Sequence, residues 1–133
     1  MIRFTGVVPR LPVQDLQRTI RFYTELLGFQ CGLLWPDGQP MFTVLDRDEV
    51  SLQFYQVGEQ VQAQTGHGIL SFDVTDARAV HHAIHERIPV EWGPEVYPYG
   101  RREFAILDPD GYMLIFSEPT SESPTIELKE QTT

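Results

Sequence analysis

Apolar and polar residues alternate along IRFTGVVPRL, which predicts a β-strand over residues 2–11. The period then changes. Leu16, Ile20, Tyr23 and Leu27 recur at helical spacing, Asp15 stands where an N-cap belongs, and Gly28 stands where a left-handed stop belongs. A helix is expected there, with its apolar stripe turned toward a sheet. Three strand-length segments follow, FQCGLLWP, PMFTVLD and VSLQFYQ, separated by the turn compositions PDGQ and DRDE. The unit reads βαβββ.

After a connector near residues 57–66 that has no periodicity, the same order returns. Residues 67–75 read as a strand and 76–88 as a helix with Ala77, Val80, Ile84 and Ile88 inward. Strands are expected in IPVEWGP, REFAILD and YMLIFSE, the last two joined by DPDG. Residues 42–54 (FTVLDRDEVSLQF) also align with 104–116 (FAILDPDGYMLIF), so that Phe42 meets Phe104, Asp46 meets Asp108 and Phe54 meets Phe116. Val13-Gln14-Asp15 aligns with Val74-Thr75-Asp76. An internal duplication explains both matches. The expected fold class is α+β: two βαβββ modules, 1–56 and 67–118, within one domain over 1–118. Residues 119–133, rich in Ser, Thr, Pro and Glu, are expected to form a flexible tail or an arm that lies on a partner.

Composition narrows the partners. The formal net charge is −9, from 19 acidic against 10 basic residues, which disfavours nucleic acid because phosphate binding needs clustered Lys and Arg. No apolar run approaches the roughly 20 residues of a membrane span. Cys31 is the single cysteine, so no intramolecular disulfide can form, and a cytoplasmic location is expected.

Familiar catalytic patterns are missing: there is no Ser-His-Asp arrangement, glycine-rich phosphate loop or Cys-x-x-Cys. His81 and His85 have the i, i+4 spacing that can bind zinc, but the helical phase places them on a flank and turns His82 to solvent. Cys31 reads as a buried, inert thiol. Aromatic residues are more suggestive. Trp35, Phe42, Tyr55, Trp92, Tyr97, Tyr99 and Phe104 fall on or beside the expected strands, where rings can stack on planar groups or face cations.

The order of motifs resembles the vicinal oxygen chelate superfamily, which groups glyoxalase I, bleomycin resistance proteins and extradiol dioxygenases. The resemblance is carried by Val13-Gln14-Asp15-Leu16, Phe22-Tyr23, Leu26-Leu27-Gly28-Phe29 and Asp108-Pro109-Asp110-Gly111. Phe4 to Pro9 and Gly100 to Pro109 look most like the small bleomycin resistance proteins. It implies paired modules whose sheets curl around a cleft, commonly in a homodimer. In the metalloenzymes of that superfamily, four side chains hold a divalent ion. By the same alignment those positions fall on Val8, Gln53, Ile69 and Ile115, three of which carry no donor atom; a two-residue shift would bring in His67.

The resemblance therefore implies a metal-free small-molecule binder without a cofactor, one that sequesters a cationic aromatic antibiotic. An isomerase, lyase or dioxygenase-like enzyme with a nonstandard or metal-free site, using Arg10, His67 or Tyr55, is the alternative. If the metal-equivalent positions line the cleft, strand alternation adds Ser51, Tyr55, Met113, Ser117, Arg10 and His67 to Val8, Gln53, Ile69 and Ile115. Trp35, Tyr97 and Tyr99 would form its rim. Alternation also puts Phe54 and Phe116 on the helix-covered side and leaves the facing of Phe42 and Phe104 open.

Overall fold

Two four-stranded mixed sheets, each with one helix, account for the regular structure of the computed structural model, which describes residues 1–58 and 65–127. By its contacts the chain divides into two units, residues 1–67 and 68–133.

In the first unit, sheet A has the order β1-β4-β3-β2, formed by β1 (Arg10–Val13), β2 (Gln30–Trp35), β3 (Phe42–Arg47) and β4 (Val50–Gln56). β1 runs parallel to β4, and the other neighbours are antiparallel. Asp15 caps helix α1 (Leu16–Arg21) by accepting from the Arg18 N–H at 3.1 Å, and Gln56 Oε1 accepts from the Leu16 N–H at 2.9 Å. The last strand thus satisfies a donor that the helix start would otherwise leave unpaired. The helix continues as a wider π-type turn over Phe22–Leu26 before Gly28 takes a positive φ of 70°. That turn carries Tyr23 onto Phe54, with ring centroids 4.9 Å apart, and both residues are fully buried.

The second unit repeats the plan with β5 (Ile69–Asp73), α2 (Ala77–Ile84), β6 (Trp92–Tyr97), β7 (Arg101–Leu107) and β8 (Met113–Pro119). Its sheet B has the order β5-β8-β7-β6. Asp76 caps α2 through the Ala79 N–H at 3.0 Å. Phe116 stacks on Phe104 at 5.0 Å and on Phe72 at 5.5 Å, all on the helix side. Burying each such ring contributes about 2–3 kcal/mol.

Several local expectations shift. The first strand begins at Arg10 rather than near residue 2: Pro9 accepts from the Gln53 N–H but has no N–H to return, and the ladder ends there. β6 begins at Trp92, about four residues later than its expected start, and contains a bulge between Trp92 and Glu95. Cys31 is exposed rather than buried, because β2 is an edge strand. His81 is half-buried and meets Phe104 edge-on with ring centroids 5.2 Å apart, since the line Ala77, His81, Ile84 is itself a helical stripe. Phe42 and Phe104 lie on opposite faces. Phe54 pairs with Thr43, whereas its counterpart Phe116 pairs with Phe104, so the hairpins differ by one residue in register.

The described part of the expected tail lies against sheet B. The Thr125 N–H donates to the Val96 carbonyl at 2.8 Å, and the Thr120 N–H to that of Gly100 at 2.9 Å. Arg102, buried on the helix side, pairs with Glu118 at 3.1 Å and with Glu122. Most of the connector, residues 59–64, and the last six positions, 128–133, lie outside the described residues.

Candidate functional site

Each sheet has one face toward its own helix and one face away from it. In sheet A the partners that share the helix-free face follow from the register. Pro12, Tyr55, Phe42 and Trp35 form one row across the four strands, and Arg10, Gln53, Val44 and Leu33 form the next. Trp35 is 63% exposed and Tyr55 38%, while Leu45, Leu52 and Phe54 on the other face are closed to solvent. Exposed rings in a continuous row are the kind of apolar patch that marks an interaction surface.

The polar part of this face is ordered. Arg10 Nε donates to Gln53 Oε1 at 2.7 Å, and its guanidinium carbon stands 5.0 Å from the Phe42 ring centroid. The cation sits over a ring while the amide oxygen sets its plane. Ser51 donates to Asp46 in the following row.

Sheet B presents a different helix-free face. Asp73, Ser117, Glu103 and Glu95 form a row, with Arg101 and Tyr97 beyond it and Ile69, Met113 and Leu107 at the opposite end. Glu103 is buried and accepts from the Tyr99 and Ser117 hydroxyls, the latter at 2.6 Å. Arg101 donates to Ser117 at 2.5 Å and to Asp73 at 2.7 Å. Among the described residues no cation pairs directly with Glu103. Tyr97 and Tyr99 stack at 5.5 Å, and Trp92 meets Tyr97 edge-on at 5.7 Å. Burial, followed by the hydrogen bond to Glu103, pushes the Tyr99 phenol far above its usual range. Tyr97 is raised by burial and by the nearby Glu95 and Glu103. Both hydroxyls remain proton donors at ordinary pH.

The sequence-predicted residues divide between these surfaces. Arg10, Trp35, Ser51, Gln53 and Tyr55 share the sheet A face; Ile69, Ile115 and Tyr97 share that of sheet B, with Tyr99 in the β6–β7 turn. Val8 precedes β1, and His67 is exposed before β5. Sequence reasoning placed Ser117 on this face but missed Glu103, Asp73 and Arg101. Their signal was present in the alternation of β7, where Arg101, Glu103 and Ala105 oppose Arg102, Phe104 and Ile106.

The superfamily's divalent metal does not fit the side chains at the four positions that the sequence alignment makes equivalent. Val8, Ile69 and Ile115 have no donor, and the oxygen of Gln53 is turned to Arg10. No group of three or more His, Cys, Asp or Glu among the described residues could hold an ion.

The family model of the Glyoxalase/Bleomycin resistance protein/Dioxygenase superfamily matches residues 4–116. No curated protein matches the chain by sequence. Among solved structures, the bleomycin-binding protein of bleomycin-producing Streptomyces verticillus, complexed with copper(II)-bleomycin, is 25% identical. The match covers 92% of this chain and 100% of that one, with a TM-score of 0.70. A virulence protein from Salmonella typhimurium is 27% identical over 90% of this chain and 100% of its own, with a TM-score of 0.69. TnmS3, an antibiotic binding protein from a Streptomyces species, shares the fold at 23% identity and a TM-score of 0.74, with 90% and 100% covered.

Proposed function

We propose that this chain, which belongs to the Glyoxalase/Bleomycin resistance protein/Dioxygenase superfamily, binds and sequesters a planar aromatic small molecule without a metal of its own. The observation that carries the reading is the row Tyr55, Phe42, Trp35 on the helix-free face of sheet A, three rings on adjacent strands with Trp35 63% exposed. Rings held by a sheet lose little freedom when a flat ligand stacks on them. The bleomycin-binding relative, which holds a metal-chelated antibiotic, supports the same class of ligand.

On the other sheet, Glu103 and Glu95, neither ion-paired among the described residues, stand beside Trp92, Tyr97 and Tyr99 and favour a positively charged group, since a cation gains from both carboxylates and ring faces. Cationic, heteroaromatic antibiotics match that chemistry. Sequestration needs only tight, reversible binding, so no catalytic group is assigned.

Tryptophan fluorescence of chelator-treated protein, titrated with copper-free bleomycin and other cationic planar antibiotics, tests the reading. A saturable change is expected with at least one, weakened about tenfold in Trp35→Ala by the loss of one stacking contact. Expression in a sensitive host should raise tolerance to the same compound. Flat titrations throughout, with unchanged tolerance, would refute the antibiotic reading.

A further inference from the structure

We propose that the helix-free face of sheet A recognises an aromatic ring bearing an oxyanion, a carboxylate in the first instance, with Arg10 as the anchor and Trp35, Phe42 and Tyr55 as the bed for the ring. The proposal rests on the small-molecule reading above and adds the charge that the ligand carries on this face.

Arg10 is held rather than loose. Its Nε donates to Gln53 Oε1 at 2.7 Å and its guanidinium lies 5.0 Å from the Phe42 ring centroid, which fixes both the direction and the plane of the fork. Those contacts leave the two Nη nitrogens without a hydrogen bond or ion pair among the described residues. Gln53 has its acceptor oxygen engaged, so what it offers outward is its amide N–H₂. The Arg10–Gln53 pair therefore presents donors. A carboxylate matches the spacing of a guanidinium fork and accepts from both prongs.

Arg10 also has no ion pair among the described residues. The carboxylate of the following row is Asp46, which lies on β3 while Arg10 lies on β1, with β4 between them. Asp46 takes a hydrogen bond from Ser51 and leans toward β2, where a Cβ on Gly32 would stand 2.5 Å from its Oδ2. The whole-chain charge of −9 opposes anions at long range. Screening beyond about 8 Å at physiological salt leaves the choice to the nearest fixed charge.

The rings are at the right step. Tyr55 follows Gln53 by two residues on β4, a rise of about 7 Å, and pairs across to Phe42 and then Trp35. A carboxylate on Arg10 thus sends an attached ring over the aromatic row. A ring bearing an ammonium group in that place would meet Arg10's like charge instead.

The test compares 2-naphthoate with 2-naphthylmethylammonium on the full chain by ¹H–¹⁵N NMR, following the Trp35 indole N–H signal, assigned by its loss in Trp35→Phe. The naphthoate should shift that signal saturably and bind at least about tenfold tighter than the ammonium, the worth of one charge-assisted pair. Arg10→Gln should abolish the preference, Arg10→Lys should keep only part of it, and Gln53→Leu, which removes the brace but not the charge, should reduce it. Equal or tighter binding of the ammonium, or a preference that survives Arg10→Gln, overturns the proposal while leaving the small-molecule reading standing. No shift with either probe at millimolar concentration overturns both.

Discussion

Gly93 sits inside β6 with φ of 79°, and a Cβ added there would lie 2.3 Å from the Glu103 carbonyl oxygen and 2.9 Å from the Phe104 Cα. Ordinary contact begins near 3.4 Å, so Gly93→Ala forces β6 about 1 Å away from β7. The neighbours at risk are backbone atoms, which cannot swing aside as a side-chain tip can. Left-handed strain costs about 1–2 kcal/mol. Loosening two or three hydrogen bonds between the strands adds about 1 kcal/mol for each. The total, about 3–5 kcal/mol, is a large share of the stability of an ordinary domain. Gly38 provides the control: its φ is 90°, yet nothing lies within 4 Å of an added Cβ, so Gly38→Ala carries only the strain. Urea unfolding of the two variants against the parent isolates the steric part. An equal loss in both would show that the close approach of β6 to β7 is not as described. Because β6 carries Trp92 and Tyr97, Gly93→Ala is also expected to blunt binding on the sheet B face.

Phe54→Ala should cost about 3–5 kcal/mol by leaving a cavity under Tyr23, whereas Tyr55→Ala, the next residue but on the helix-free face, should cost under about 1 kcal/mol; urea midpoints compare them. Burial and the neighbouring His85 and His82 lower the His81 pKa, so the unfolded chain binds the proton more readily. Stability should therefore fall as pH drops below about 6.5, and His81→Gln should flatten that slope in thermal melts. Tyr99 shifts the other way. Its raised pKa makes its contribution complete below about pH 10 and lost progressively above, a fall that Tyr99→Phe should remove from the same melts.

The duplication was legible because hydrophobic period and turn chemistry are local. Asp15 and Asp76 announce both helices, and the alternation in VSLQFYQ places Phe54 and Gln53 on opposite faces, as observed. What the pattern could not supply was register. Whether Phe42 faces with Phe54 or with Gln53 depends on how the hairpin closes, and a one-residue difference sends the aligned Phe42 and Phe104 to opposite faces. The length of β1 was hidden for a related reason: alternation continues through residues 2–8, but a strand ends where its partner's ladder ends. His81 and Val80 are both half-buried, so the apolar stripe alone did not reveal that the His81 ring packs against Phe104. The Glu103 network escaped notice because its members, Asp73, Tyr99, Arg101 and Ser117, meet only through pairing of β5, β7 and β8.

The most direct measurement is calorimetric titration of chelator-treated protein with copper-free bleomycin, repeated after adding Zn²⁺ or Ni²⁺. The account predicts saturable heat in the metal-free protein and the same affinity after the metal is added. Heat that appears only with metal, together with tight binding of the ion itself that Gln53→Ala abolishes, would contradict it.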